Sequence, residues 1–417
     1  MIINDKIEKL MWILTVALLS SITIFSNDTW GRYVLMFATT TFFCLDLFLQ
    51  RGKYRVCFHV FHVFMLTLIS YTALSILWAI DIDDPITKSL TFTQIFICMC
   101  VLYNYYVRKN SIDDLLSVLK WTGYIISVYS LYFYGYSNVL SMMNSGIRLD
   151  TDYANVNTIG MCAAYSIIIQ IDEFLRTKKF QLESLFCIPA FTMVIATQSR
   201  KALLILIISI LMLLILRNYN PRKILINIIR IVVSLTVFVV MLRYLSDFEI
   251  FAGISHRMEY LAAMFTGQGQ IGASAMLRQK LIELGIEQFF QSPIFGIGIG
   301  CPHVIANQYL SFDAYLHNGF VEMLAAGGII GFCIYYGAFV YLFFKMYKMK
   351  AVDNKNKILC FVLLTTLFFR EYAMVSVYDK STYFYFIMFF IFVKIIQREK
   401  FANLLILGGQ DEDKKIS

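Results

Sequence analysis

Long apolar runs separated by short polar segments dominate this chain up to residue 397. A helix needs about 20 mainly apolar residues to cross a bilayer. The pattern therefore predicts an all-α polytopic membrane protein with about twelve transmembrane helices, of which 184–198 and 202–217 form a short pair. The predicted spans are 10–26, 31–49, 57–80, 87–107, 116–137, 157–173, 184–198, 202–217, 224–245, 317–344, 357–372 and 381–397.

The loops between these spans alternate in charge, which predicts an orientation. Lysine and arginine collect in every second loop, at 51–55, 108–109, 176–179, 217–223 and 345–357, whereas the alternate loops carry aspartates at 28 and 81–84. By the positive-inside rule the basic loops and both termini are cytoplasmic. The prediction divides the chain into nine spans over 1–245, a large extracytoplasmic loop over 246–316, three spans over 317–400 and a cytoplasmic tail over 401–417.

Composition narrows the function classes. The 417 residues are 59% hydrophobic and 15% charged, well below the roughly one-quarter charged residues of a soluble domain. The net charge of +8 does not indicate nucleic-acid binding, because the cations sit mainly in short loops on one side. Eight of the nine cysteines lie in or next to apolar runs, which predicts no disulfide framework. No cofactor or metal is expected, since no CxxC motif or His/Cys cluster occurs.

A few cations fall on the predicted outer side, against the charge bias. They are Arg148, Arg200, Lys201, Arg257, Arg278, Lys280 and Arg370. They are either scattered surface residues or a shared anion site, and arginine is the side chain best suited to bidentate phosphate binding. Arg200 lies in a short polar hinge, 197–202, where a helix N-terminus would add favourable dipole and free N–H groups for an anion.

The outward loop contains two further features. Leucines at helical spacing predict an amphipathic helix over 274–290, which carries Arg278 and lies on the membrane or caps the bundle. Pro293 ends it, and the glycines of 294–300 favour a close-packed turn over a nucleotide-binding loop. At the end of the loop, His317 begins a span, with Glu322 just over one turn later. Ionisable groups at such positions indicate a functional site, and Glu322 fits either a base or a hydrogen-bond anchor.

These motifs resemble those of the O-antigen ligase and O-antigen polymerase superfamily of bacterial envelope enzymes. The resemblance covers roughly residues 195–335: the Ser-Arg hinge at 199–200, the segment from Arg278 to Gly298, and His-Asn-Gly-Phe-Val-Glu-Met-Leu at 317–324. It implies a GT-C-like glycosyltransferase of the bacterial cytoplasmic membrane with an outward-facing active site. Arg200, Arg278 and, with poorer spacing, Arg257 would hold the undecaprenyl pyrophosphate, and His317 would be essential.

The resemblance leaves several activities open. A polymerase joins undecaprenyl-pyrophosphate-linked repeat units, both donor and acceptor, into O-antigen or capsular polysaccharide, and this is the favoured activity. A ligase would transfer the glycan to lipid A core or to a protein. A transporter or flippase, or a non-catalytic scaffold, are the alternatives from other classes. The implied partners are the lipid-linked glycans, the bilayer, a chain-length regulator and a flippase.

Overall fold

The computed structural model describes residues 2–25, 30–145, 147–149, 154–217, 273–311, 313–349 and 355–416, together with isolated positions between 226 and 236. Across these residues the secondary structure is helical, with no strand. The predicted span 224–245 and the first part of the outward loop, including Arg257, lie outside the described ranges.

Fourteen helices form the described part of the chain, and nine of them precede the gap at 218–272. These are α1 (Ile2–Ile24), α2 (Trp30–Leu49), α3 (Val60–Leu74), α4 (Asp83–Lys109), α5 (Ile112–Tyr134), α6 (Tyr136–Asn144), α7 (Val156–Thr177), α8 (Cys187–Ala196) and α9 (Arg200–Arg217). After the gap follow α10 (Ala273–Gln291), α11 (Pro302–Leu310), α12 (Gly319–Lys348), α13 (Lys357–Arg370) and α14 (Lys380–Ile416).

Six of the described helices are long and apolar enough to cross a bilayer: α1, α3 with its 3-10 extension to Leu77, α4, α7, α12 and α14 up to Arg398. Two shorter apolar helices cover Tyr33–Leu49 and Leu182–Ala196. The second of these replaces the predicted span 184–198 with a 3-10 turn followed by the ten-residue α8. The described part of the chain is thus all-helical and has the long apolar helices of an integral membrane protein, and the count of twelve spans stays a prediction.

Helix α12 is broken at Gly328, whose φ of 57° and ψ of −162° are not helical. The glycine-rich segment 293–298 fills the break: the N–H groups of Ile297 and Gly298 donate to the carbonyls of Ala325 and Ala326, both at 3.0 Å. A Cβ on Gly296 would overlap with Ala326, so only glycine permits this approach. The segment is a close-packed structural turn, as its sequence predicts, and its N–H groups satisfy carbonyls that the break in α12 leaves without helical partners.

Helix α10 matches the predicted amphipathic helix over 274–290 and packs on the first part of α12. Its buried Leu281 joins an apolar cluster with Ala306, Leu316, Val321 and Ala325. Glu283 and Glu287 occupy the exposed face. The helix therefore packs beside the start of α12, and Arg278 lies close enough to His317 for its charge to act on the imidazole.

Helix α9 is held against α7 at its C-terminal end. Arg217 donates from Nε and Nη2 to Oδ1 of the fully buried Asp172, at 2.8 and 2.6 Å. Arg176, one turn after Asp172 on α7, donates to the other carboxylate oxygen at 2.9 Å. Because a buried carboxylate is costly unless it is paired, this contact fixes the position of α9 and hence of Arg200 at its other end.

Candidate functional site

The polar hinge between α8 and α9 is a tight, fully packed turn. Gln198 has a left-handed φ of 45°, and α9 begins two residues later at Arg200. The Ser199 hydroxyl donates to Asn157 Oδ1 at 3.0 Å. Arg148 spans the same turn, donating from Nε to the Thr197 carbonyl at 3.1 Å and from Nη2 to Asn157 Oδ1 at 2.9 Å. Two outward cations of the sequence, Arg148 and Arg200, thus meet at one turn.

Lys201 lies at the centre of a wider group of cations. It precedes the predicted span 202–217, and burial together with the charges of Arg278, Arg370, Arg148 and Arg200 lowers the pKa of its ammonium to about 7. These four arginines come from α10, the end of α13, the 147–149 segment and α9. We call Arg148, Arg200, Lys201, Arg278 and Arg370 the cation cluster. Concentrated positive charge of this kind is the electrostatic complement of a phosphate group.

Arg370 is the most enclosed member of the cation cluster. It is buried, donates to the Thr382 hydroxyl at 2.6 Å and lies 3.8 Å from an Asp379 carboxylate oxygen. Its own neighbour in sequence, Glu371, is also buried and accepts from the hydroxyls of Tyr336 and Ser376. Arg370 is therefore held by fixed polar groups rather than extended into solvent.

His317 lies beside the cation cluster, just before α12. Its backbone φ of 56° is left-handed, a conformation that costs free energy for a non-glycine residue and is found preferentially at functional sites. Burial and the nearby charges of Arg278 and Lys201 lower the pKa of its imidazole to about 4. At neutral pH the ring is therefore uncharged and can accept a proton.

The two residues after His317 fix its position. The Asn318 side chain caps α12 by accepting from the N–H groups of Phe320 and Val321, at 3.0 and 3.2 Å. The Gly319 N–H donates to the Glu371 carbonyl at 2.7 Å, and a Cβ here would overlap with the Glu371 carboxylate. The His-Asn-Gly order therefore places an imidazole, a helix cap and a close helix–loop contact in three successive residues.

Glu322 faces the interior and not the cation cluster. It is fully buried, and its Oε2 accepts from the Leu316 N–H at 2.9 Å. Lys88, Tyr378 and His303 are among the groups whose charge or hydrogen bonding acts on its carboxylate. This arrangement anchors the backbone immediately before His317, and the contact is that of a positioning residue. A catalytic role for Glu322 beside His317 stays a prediction.

The structure places three of the predicted site residues, Arg200, Arg278 and His317, around Lys201. Glu322 contacts the backbone N–H of Leu316, the residue before His317. Arg257 lies outside the described residues. Of the other outward cations, Arg148, Lys201 and Arg370 join the cation cluster, whereas Lys280 is exposed on α10. Five of the cations that depart from the charge bias therefore lie near one another, and their use as a shared anion site stays a prediction.

The residues that hold this site cannot be predicted from the sequence alone. Asn157 and Glu371 are distant in sequence from the groups they contact, at 199 and 319. Neither belongs to a motif, and nothing in the chain's hydropathy pattern separates them from other polar residues near helix ends. Only the packing of α7 on α9, and of the 371–376 turn on α12, reveals them.

Residues 185–336 match the family model described as O-antigen ligase. This confirms the resemblance to the O-antigen ligase and polymerase superfamily. The matched region contains Arg200, Lys201, Arg278, His317 and Glu322, whereas Arg148 and Arg370 lie on either side of it. A comparison with curated proteins finds no match. The family indicates a function of the O-antigen ligase or polymerase type, carried out by glycosyltransferase-like enzymes.

Proposed function

We propose that this protein is a glycosyltransferase that polymerises undecaprenyl-pyrophosphate-linked oligosaccharide repeat units on the outer face of the cytoplasmic membrane. The product would be an O-antigen or a capsular polysaccharide. The observation that carries the proposal is the cation cluster beside a neutral imidazole: the largest charge effects on Lys201 come from four arginines, and Arg278 and Lys201 also act on His317.

The cation cluster fits the leaving group of this reaction. A lipid-linked glycan ends in a C1–O–phosphate bond, and its pyrophosphate carries negative charge that grows as the bond breaks. Guanidinium groups held by fixed partners, as Arg148 and Arg370 are, stabilise that charge without having to reorganise. Arg200 and Lys201 also begin α9, and the N-terminal end of a helix carries the positive end of its dipole.

His317 fits the role of general base. In the proposed step an acceptor hydroxyl oxygen bonds to C1 of the donor sugar, the C1–O bond to phosphate breaks, and undecaprenyl pyrophosphate leaves with the bonding electrons. The hydroxyl proton passes to the imidazole, which is neutral because burial and nearby cations depress its pKa. An anionic donor bound to Arg278 and Lys201 would offset their charge and make the imidazole a stronger base in the complex.

The deciding experiment is reconstitution of the purified protein in liposomes with lipid-linked repeat units. We expect glycosidic bond formation by wild type and its loss in both Arg200→Ala and His317→Ala, with Lys280→Ala as a control for an exposed cation on α10. General-base loss reduces rate by about 10²- to 10⁴-fold. Translocation of the lipid-linked unit without a new glycosidic bond would instead establish a transporter.

A ligase is the second candidate, because the matching family model carries that description. Polymerase and ligase share the donor and therefore the cation cluster, and they differ in the acceptor. Offering lipid-linked repeat units and lipid A core in separate reactions distinguishes them. Longer lipid-linked chains support the polymerase, and glycan attached to lipid A core with no chain growth supports the ligase.

A further inference from the structure

A second polar surface adjoins the segment that leads to His317. It is formed by Asp84 and Lys88 of α4, His303 of α11, Asp313 and Tyr315 of the following segment, and Tyr378 before α14. We call these six residues the tyrosine–aspartate surface. None of them takes part in the chemistry described above.

His303 ties the tyrosine–aspartate surface together. Its Nε2 lies 2.7 Å from Asp84 Oδ2, and its Nδ1 lies 2.9 Å from Asp313 Oδ1. Since a carboxylate engages each ring nitrogen, the imidazole is a bridge rather than a ligand. Among the residues that the structure describes, no cluster of His, Cys, Asp or Glu is suited to a metal ion.

The two tyrosines of this surface are held in place before any ligand arrives. Their ring centroids are 5.3 Å apart, and Lys88 Nζ donates to the Tyr315 hydroxyl at 3.1 Å while lying 4.6 Å from the Tyr378 ring centre. The Tyr378 hydroxyl in turn accepts from the Gly300 N–H at 3.1 Å. Tyr315 nevertheless stays 39% exposed, so this fixed aromatic ring is available for contact.

The surface is connected directly to the candidate general base. Tyr315 is two residues before His317, and Leu316 between them is anchored by its N–H to Glu322. Glu322 in turn experiences the charges of Lys88 and His303 and the hydroxyl of Tyr378. A molecule that contacts Tyr315 would therefore lie close to His317. Glu322 fixes the backbone between these two residues.

The chemistry of the surface differs from that of the cation cluster. His303 lies between the carboxylates of Asp84 and Asp313, and Lys88 is engaged with the two tyrosines, whereas the Asp313 side chain is 74% exposed, so its carboxylate is the charged group most open to a ligand. A carboxylate only accepts hydrogen bonds and has several acceptor sites, which suits a ligand rich in hydroxyl or amide N–H donors. A rigid aromatic ring beside such acceptors suits a sugar, because the ring can contact the apolar C–H face of the sugar while the carboxylates accept from its hydroxyl groups.

We propose that the tyrosine–aspartate surface binds the acceptor saccharide and selects a sugar that presents hydroxyl, amide or ammonium donors over one that carries a carboxylate. This inference rests on the proposed glycosyl transfer. The donor's pyrophosphate then binds at the cation cluster, and the acceptor's sugar binds at a surface with an exposed carboxylate. Two substrates that both contain glycan are thereby distinguished.

The test measures binding of a phosphate-free sugar to the full-length protein in nanodiscs. The probe is the host's repeat-unit oligosaccharide, released from its lipid by mild acid, and binding is followed by saturation-transfer NMR. We expect Tyr315→Ala and Asp313→Asn to weaken binding by about tenfold or more, because stacking and carboxylate hydrogen bonds are each lost. Tyr309→Ala removes an exposed tyrosine from the neighbouring α11 and is the matched control.

Two further arms complete the test. Arg278→Ala should leave oligosaccharide binding unchanged, and a uronic-acid oligosaccharide of equal length should bind wild type more weakly than the neutral probe. Unchanged binding in both Tyr315→Ala and Asp313→Asn, preference for the uronic acid, or no binding by wild type would overturn the inference. Failure of the proposed function is a separate result: it would appear as undecaprenyl pyrophosphate binding that Arg278→Ala does not weaken.

Discussion

The Gly319 N–H donates to the Glu371 carbonyl at 2.7 Å, and this one bond links the two halves of the candidate site. Gly319 is two residues after His317, and Glu371 follows Arg370 of the cation cluster. The candidate base and one of the cations therefore share a backbone contact. Any change that separates α12 from the 371–376 turn should move the imidazole relative to the positive charge.

Gly319→Ala tests this contact. A Cβ here would overlap with Glu371 Oε2 and come within 3.0 Å of the Met374 carbonyl oxygen, so the buried Glu371 carboxylate must move from its hydrogen bonds and the 371–376 turn must shift slightly. We expect a loss of roughly 1–3 kcal/mol of stability, typical of an overpacked site, and a larger loss of transfer activity. Thermal unfolding and the transfer assay measure the two effects.

Gly337→Ala is the matched control, since it lies on the same helix and a Cβ there meets nothing within 4 Å. It should be neutral or slightly stabilising, because alanine favours helix more than glycine does. Equal behaviour of the two variants would show that the Gly319 contact has no special role.

Lys201 should give the reaction a pH dependence. Its pKa is lowered to about 7 by burial and by Arg278, Arg370, Arg148 and Arg200. A lowered lysine pKa means that the positive charge is present below pH 7 and is lost as the pH rises through 7. We therefore expect kcat/KM for the donor to fall above about pH 7, since this parameter reports the free enzyme.

Lys201→Arg should remove that decline, because a guanidinium stays charged throughout the range. Lys280→Arg changes an exposed lysine of α10 in the same way and should keep the wild-type profile. A decline that persists unchanged in Lys201→Arg would assign it to another group. The imidazole of His317, with its pKa near 4, should affect only the strongly acidic end.

The sequence predicts the parts of this structure that depend on local pattern. Helix α10 occupies Ala273–Gln291 where leucine spacing predicts 274–290, and α9 begins at Arg200 as the polar hinge requires. The break at Gly328 could not be predicted, because it depends on segment 293–298 packing against it from outside the helix. Hydropathy alone predicts one continuous span over 317–344.

The candidate site shows the same division. Arg148, Arg200, Arg278 and Arg370 could be predicted as site residues, because they are cations on the predicted outer side, where the positive-inside rule makes cations uncommon. Their convergence on Lys201 is tertiary, and Asn157 and Glu371 act through contacts between separate helices. A residue whose role is to hold another residue leaves no periodicity and no charge anomaly in the chain.

Glu322 can be assigned by comparing two substitutions. The geometry gives it an anchoring role, because its Oε2 accepts from the buried Leu316 N–H. Glu322→Gln retains a carbonyl oxygen acceptor, so we expect kcat within a few-fold of wild type. Glu322→Ala leaves the Leu316 N–H without that partner, which costs about 1–3 kcal/mol and loosens the backbone before His317.

The measurements are kcat and thermal unfolding of both variants beside His317→Ala. An anchor predicts a mild effect of Glu322→Gln and a severe one of Glu322→Ala in both measurements. If Glu322→Gln instead keeps its stability and loses about as much kcat as His317→Ala, the carboxylate transfers a proton, as the sequence allowed.

Asn157→Asp separates the charge of Arg148 from its structural contacts. Asn157 Oδ1 accepts from both Arg148 and Ser199, and an aspartate can accept the same two bonds while adding a negative charge at the guanidinium. If Arg148 contributes charge to pyrophosphate binding, donor affinity should fall roughly tenfold, with a smaller dependence on salt. Titration of undecaprenyl pyrophosphate at several ionic strengths measures both.

Asn155→Asp is the control, because it adds the same charge at an exposed helix cap two residues away, where aspartate caps as well as asparagine. It should leave donor affinity nearly unchanged. Asn157→Ala removes the shared acceptor and should weaken donor binding through displacement of the hinge and Arg200. Wild-type affinity in Asn157→Asp combined with weak binding in Asn157→Ala would restrict Arg148 to holding the turn, and the anion would then be bound by the remaining members of the cation cluster.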